Sequence, residues 1–240
     1  MVTLLRPYRT SGMAPADDCL LTEVVADAEE VAPRYVHVPG GKKVAQYSPT
    51  VVGTSVQYDP AEDCDGNFTS SKFQVNNNCY NYACNIATNS FAQPGRINGF
   101  FLKSHPAPTG PLVVQGAQLD GLIWIGGSDL RIADLKERML DQGRGHAVGL
   151  LISSVDNSVR WPGDYHWVRC DNATCNSWSQ KDGDDQVTNF DFAGKPIADP
   201  AKAVWAVNQG PIVKGTQTDV IVEYDFFGFM FVPCGRVKII

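Results

Sequence analysis

Cys79 stands in "NNNCYNYACNIATNSFAQPG" (76–95), behind three asparagines and directly before a tyrosine. A structural cysteine usually sits in an apolar run, whereas this one opens a stretch that reads as a helix from Cys79 to about Asn89. Asn76, Asn77 or Asn78 would cap it. A thiol at a helix start suits a nucleophile, because the N-terminal N–H groups favour the thiolate. The chemistry would be attack on a carbonyl carbon, followed by hydrolysis of a thioester. Backbone N–H groups at the helix start would hold the oxyanion, with Asn78 and Gln74 as side-chain donors. The competing reading makes Cys79 a disulfide partner, for example of Cys64.

Such a thiol needs a base, and the chain has four histidines, His37, His105, His146 and His166. His37 lies among turn residues and His105 precedes proline. His146 and His166 lie on apparent strands downstream of the cysteine, where the base of a cysteine hydrolase belongs. If Cys170 and Cys175 close a hairpin, the numbers of paired residues sum to 345 or 346. His166 then falls opposite Ser179 or Gln180. Strand alternation puts His166, Val168, Cys170 and Gln180 on one face. Gln180 would hold one imidazole nitrogen and leave the other for the thiol.

These groups must be positioned by a helix and a sheet. "TEVVADAEEVA" (22–32) has helical spacing and "TVVGTSVQY" (50–58) alternates like a strand. "PLVVQG" (111–116) and "DGLIWIGG" (120–127) read as strand-like or buried. "LRIADLKERMLDQG" (130–143) is the best helix, with Ser128 or Asp129 as cap. Strands follow at 146–153, 165–170 and 176–181, then a turn into a short helix at 196–203. The β-prone run "DVIVEYDFFGFMFVPC" (219–234) closes the order. A helix bearing Cys79 and a largely antiparallel sheet make an α+β fold. Residues 1–58 read as an extension packed on the core, and 59–240 as the hydrolase-like domain.

The composition is that of an ordinary globular chain, 43% hydrophobic and 19% charged over 240 residues. The formal charge of −6, with no basic cluster beyond Lys42-Lys43, argues against nucleic acid. No apolar run approaches the ~18 residues of a membrane span. Asp63, Asp65 and Asn67 have the spacing of a calcium loop, but the glycine and closing glutamate are missing. No metal or cofactor is therefore expected. The odd count of seven cysteines leaves one unpaired. A Cys170–Cys175 disulfide is expected, with Cys79 free. Asn67 and Asn172 head glycosylation sequons. Cysteines and sequons together favour an extracellular, secreted protein. No signal peptide is visible in "MVTLLRPYRTSG", which keeps a cytoplasmic location as the alternative.

The segments "NNCYNYA", "FAQPGR", "DYHWVRCD", "WSQKDG" and "VTNFDFAGKPIADP" resemble a scarcely characterised family of papain-like or NlpC-like cysteine peptidases. The likeness covers roughly residues 74–234. It implies a papain-like fold and a peptide or amide substrate. It places Cys79 on the family's N-C-Y, His166 on its Y-H-W and Gln180 on the histidine of its W-S-H-K. That last position is a departure, since glutamine orients an imidazole but cannot share its proton. "HAVGLLI" also resembles an NlpC-type strand, which offers His146 as an alternative third residue. Three function classes follow: a cysteine hydrolase, a secreted binding or toxin-like module, and a catalytically dead relative kept as a structural or shell component.

Overall fold

The computed structural model describes residues 34–46, 75–102, 107–185, 187–210 and 219–240. The expected elements at 22–32 and 50–58 lie outside these residues, as do Cys19, Cys64, Asn67, Gln74 and His105.

Strands β1 (Arg34–Val38) and β2 (Lys42–Gln46) form a hairpin whose Val38 and Val44 pack with Ile240. Helix α1 is Cys79–Cys84, α2 is Gly110–Leu119 and α3 is Ile132–Leu140. The main sheet takes β3 (Ile123–Gly127), β4 (Gly145–Ser153), β5 (Asp164–Cys170), β6 (Trp178–Lys181) and β7 (Val187–Thr188). Strands β8 (Ala206–Asn208) and β9 (Ile221–Glu223) form a separate pair, and β10 (Asp225–Pro233) returns to the main sheet. The main sheet runs β3-β10-β4-β5-β6-β7, and every neighbouring pair is antiparallel. The molecule is thus α+β, with a cysteine-bearing helix lying on an antiparallel sheet.

Strand alternation sorts the core into two faces. On one, Cys79, Tyr80, Val113 and Ala117 from α1 and α2 meet Val148, Leu150, Tyr165, Trp167, Met230 and Val232. On the other, Leu135 of α3 and Trp205, Val222 and Tyr224 meet Leu151, Val168, Cys170, Trp178, Phe229 and Phe231. β4 and β10 are buried on both sides, which explains their nearly unbroken apolar sequences.

Several local expectations need correction. The cysteine helix ends at Cys84, because Asn85 takes a left-handed conformation (φ 54°) and caps it. Residues 110–119 form a helix where a strand-like or buried segment was expected. Pro111 suits its first turn, and Gly116 lets it lie on the backbone at Pro94, where a Cβ would meet the carbonyl oxygen at 2.7 Å. The cap of α3 is Arg131, without a side-chain bond, and not Ser128 or Asp129. Residues 196–203 form turns and no helix. The β5–β6 register sums to 348, with Val168 opposite Gln180 and Cys170 opposite Trp178. Cys170 and Cys175, the expected disulfide pair, stand as neighbouring free thiols, with Cys170 Sγ donating to the Asn172 carbonyl at 3.1 Å and Cys175 Sγ to Met139 Sδ at 3.8 Å.

Candidate functional site

The asparagines before Cys79 build a capping lattice. Asn78 Oδ1 accepts from the N–H groups of Tyr80 and Asn81, each at 3.1 Å, and its Nδ2 donates to the Ala92 carbonyl at 2.8 Å. Asn81 Oδ1 accepts from the N–H groups of Asn78 and Ala92, while its Nδ2 donates to the Ile86 carbonyl and the Thr88 hydroxyl. Asn77 exchanges two bonds with Asn89. A six-residue helix is too short to hold itself, and these amides tie it to the 85–92 loop. Asn78, an expected oxyanion donor, thus has both ends of its amide engaged within the fold.

Cys79 is 6% exposed and packs between α1 and the sheet. Burial pushes its thiol up to about 12, and the carboxylates of Asp164 and Asp182 add to the rise. A hydrogen bond from the Trp167 N–H and the Lys181 ammonium act the other way, and burial outweighs both. A catalytic thiol needs the opposite balance.

His166 follows Tyr165 and precedes Trp167, both packed on the Cys79 side, so its own side chain emerges on the other face of β5. Its ring lies 5.8 Å from that of Phe192, 6.2 Å from Trp205 and 6.1 Å from Tyr224. Its Nε2 donates to Gln180 Oε1 at 2.6 Å, and Gln180 Nε2 donates to the Phe190 carbonyl at 2.6 Å. The structure brings His166 and Gln180 together, and it places the Cys79 thiol at the backbone N–H of Trp167, the residue after His166. His146 is on the Cys79 face but reaches the other end of α1, where its Nε2 donates to the Ala83 carbonyl at 2.7 Å. Burial lowers its pKa to about 4 and keeps the ring neutral, and the nearby Arg169 charge adds to this.

Sequence reasoning missed the most buried charges. Arg169 is fully buried beneath α1, with its guanidinium carbon 3.9 Å from the centre of the Tyr82 ring. It donates to the Tyr82 hydroxyl at 2.8 Å and stands 3.7 Å from the Asp171 carboxylate. Ser179 bridges the network, with Asp171 at 2.7 Å and the Tyr82 hydroxyl at 2.6 Å. The alternation Tyr165, Trp167, Arg169 was the available signal: the arginine shares a face with two core aromatics. Lys181 is also fully buried, and its Nζ donates to the Gly183 carbonyl at 2.8 Å. Burial lowers its pKa to about 8.

At the outer end of the sheet the Asn172 sequon forms a tight loop, in which Thr174 Oγ1 donates to Asn172 Oδ1 at 3.1 Å. Among the described residues no cluster of His, Cys, Asp and Glu side chains is arranged to hold a metal ion, and no helix is long and apolar enough to cross a membrane.

No protein-family model matches the chain, and no solved structure matches it. The chain is 36% identical over 138 residues to insoluble matrix shell protein 1 of Ruditapes philippinarum, a match covering 57% of this chain and 76% of that protein. At that identity and coverage, the chain belongs to the family of insoluble matrix shell protein 1.

Proposed function

We propose that this chain is a secreted structural module of an extracellular matrix, built on a papain-like α+β scaffold and without catalytic activity. One observation carries the reading: the kinship with insoluble matrix shell protein 1, 36% identical over 138 residues. A nucleophile and its base must come within hydrogen-bond reach, whereas the His166 ring is packed among Phe192, Trp205 and Tyr224. The Cys79 neighbourhood favours the thiol over the thiolate, and the Asn78 side chain takes up the N–H groups of Tyr80 and Asn81. The kinship with an insoluble matrix shell protein supports the structural and extracellular role.

The experiment is fractionation of the source tissue with an antibody to this chain. The expected result is recovery from the extracellular material that resists detergent and salt. Recovery chiefly from the soluble cell extract overturns the matrix assignment.

The second reading, a cysteine peptidase or amidase acting through a thioester, is favoured by the position of Cys79. It is the first residue of a capped helix and lies within the electrostatic influence of the Lys181 ammonium. It requires the Cys79 thiol to come within hydrogen-bond reach of a His166 ring nitrogen. A covalent adduct of Cys79 with a peptide-based electrophile, formed by the native protein, would establish it.

A further inference from the structure

Between the end of α3 and the outer end of the β4–β5 pair lies a cleft of about 570 Å³. That is large enough for a small organic molecule. Its apolar wall comes from Met139, Leu140, Ala147 and Phe231, and Lys136 and Arg144 stand on it as cations. Three features make it unusual for this molecule. Leu140 is 83% exposed, a large apolar side chain left in water at the cleft edge. Lys136 and Arg144 make no ion pair among the described residues, although the chain as a whole carries a formal charge of −6. The remaining titratable groups of the lining bring no competing charge to the mouth. His146 is held neutral by burial, and the Asp171 carboxylate is turned into the fold toward Arg169 and Ser179.

We propose that this cleft binds a small amphipathic anion, an apolar body ending in a carboxylate. The apolar part would cover Leu140 and lie along Met139 and Phe231, and the carboxylate would meet Lys136 and Arg144. Removing apolar surface from water drives such binding, and the cations select the charged end. The site lies away from Cys79, so the inference does not depend on whether the chain is a hydrolase or a structural module.

The test uses octanoate and its neutral analogue 1-octanol, titrated into the full chain by calorimetry, with amide-shift mapping of where each binds. Octanoate is expected to bind with one-to-one stoichiometry and to shift residues 136–147 and 170–173. The double variant Lys136→Gln/Arg144→Gln is expected to weaken octanoate about 10-fold, as two partly exposed ion contacts are worth, and to leave 1-octanol unchanged. Leu140→Ser, at an exposed position that does not endanger folding, should weaken both ligands. The absence of octanoate binding overturns the proposal. So does binding that maps elsewhere, or binding equally tight in the double variant.

Discussion

Gln180 lies directly opposite Val168 in the β5–β6 pair, yet its side-chain oxygen is 2.6 Å from His166 Nε2. The bond is diagonal, two residues along the same face, a reach that long side chains have. Because an amide oxygen can only accept, His166 carries its proton on Nε2. Gln180 is 2% exposed and also donates to the Phe190 carbonyl. Gln180→Ala therefore strands a buried imidazole N–H and a partly buried carbonyl. Denaturant unfolding should show a loss of about 2–4 kcal/mol. A loss below about 0.5 kcal/mol would mean that the bonds are replaced by water and that Gln180 does not hold the fold.

The Arg169–Asp171 pair gives a second stability test. Both side chains are fully buried, and the Asp171 carboxylate stands 3.7 Å from the Arg169 guanidinium. Asp171→Ala should cost about 3–5 kcal/mol, the usual penalty for stranding one member of a buried pair. Adding Arg169→Met should recover most of that loss, because the stranded charge is then gone. Simple additivity of the two substitutions would show that the pair is not coupled.

Much of the sheet was legible because its strands are long and either alternate or run apolar. β4, β5, β6 and β10 fall within a few residues of their expected positions, as does α3. The His166–Gln180 pairing was also legible, although the register was not. The turn is longer than a Cys170–Cys175 closure allows, since Asp171 N–H donates to the Ser177 carbonyl. The pairing sum is 348 instead of 345 or 346, and only the even expectation, two short of it, keeps every side chain on its face. Residues 110–119 were misread because Val113 and Val114 favour strands and Gly116 disfavours helix interiors. What decides for helix there is the packing of Gly116 on Pro94, which is tertiary information. Alternation says which residues share a face of β5, but not on which face α1 lies.

Two buried groups set opposing pH dependences. Burial of His146 lowers its pKa to about 4, so its contribution is present above about pH 6.5 and is lost as the pH falls toward 4. Burial of Asp120 raises its pKa to about 6, despite hydrogen bonds from Tyr80, Asn98 and the Gly95 N–H. Its contribution is present below about pH 4 and is lost as the pH rises through 6. Each shift corresponds to about 3 kcal/mol, and the slopes have opposite signs over nearly the same window. These two groups should therefore nearly cancel between pH 4 and 6 in the wild-type protein. His146→Gln, which keeps a donor for the Ala83 carbonyl, should unmask a fall in stability as the pH rises across that range. Equal slopes in the two proteins would remove His146 from the balance.

The adjacent thiols of Cys170 and Cys175 predict a selective oxidation. Diamide treatment should join this pair without touching Cys79 or Cys84, as non-reducing peptide mapping would read. The bridge closes a short loop, so the gain in stability should be about 2 kcal/mol. Cross-linking that involves Cys79 would contradict the placement of that thiol within the core.

The most direct test of the central claim, that Cys79 is a core thiol and not a nucleophile served by His166, is its alkylation rate in the native protein. Iodoacetamide at neutral pH, read by peptide mapping, reports the population of accessible thiolate. The account predicts that Cys79 is modified no faster than the protein unfolds, and that His166→Ala alters the rate only as far as it alters stability. Rapid alkylation of the native protein, with a pH profile that His166→Ala abolishes, would contradict it.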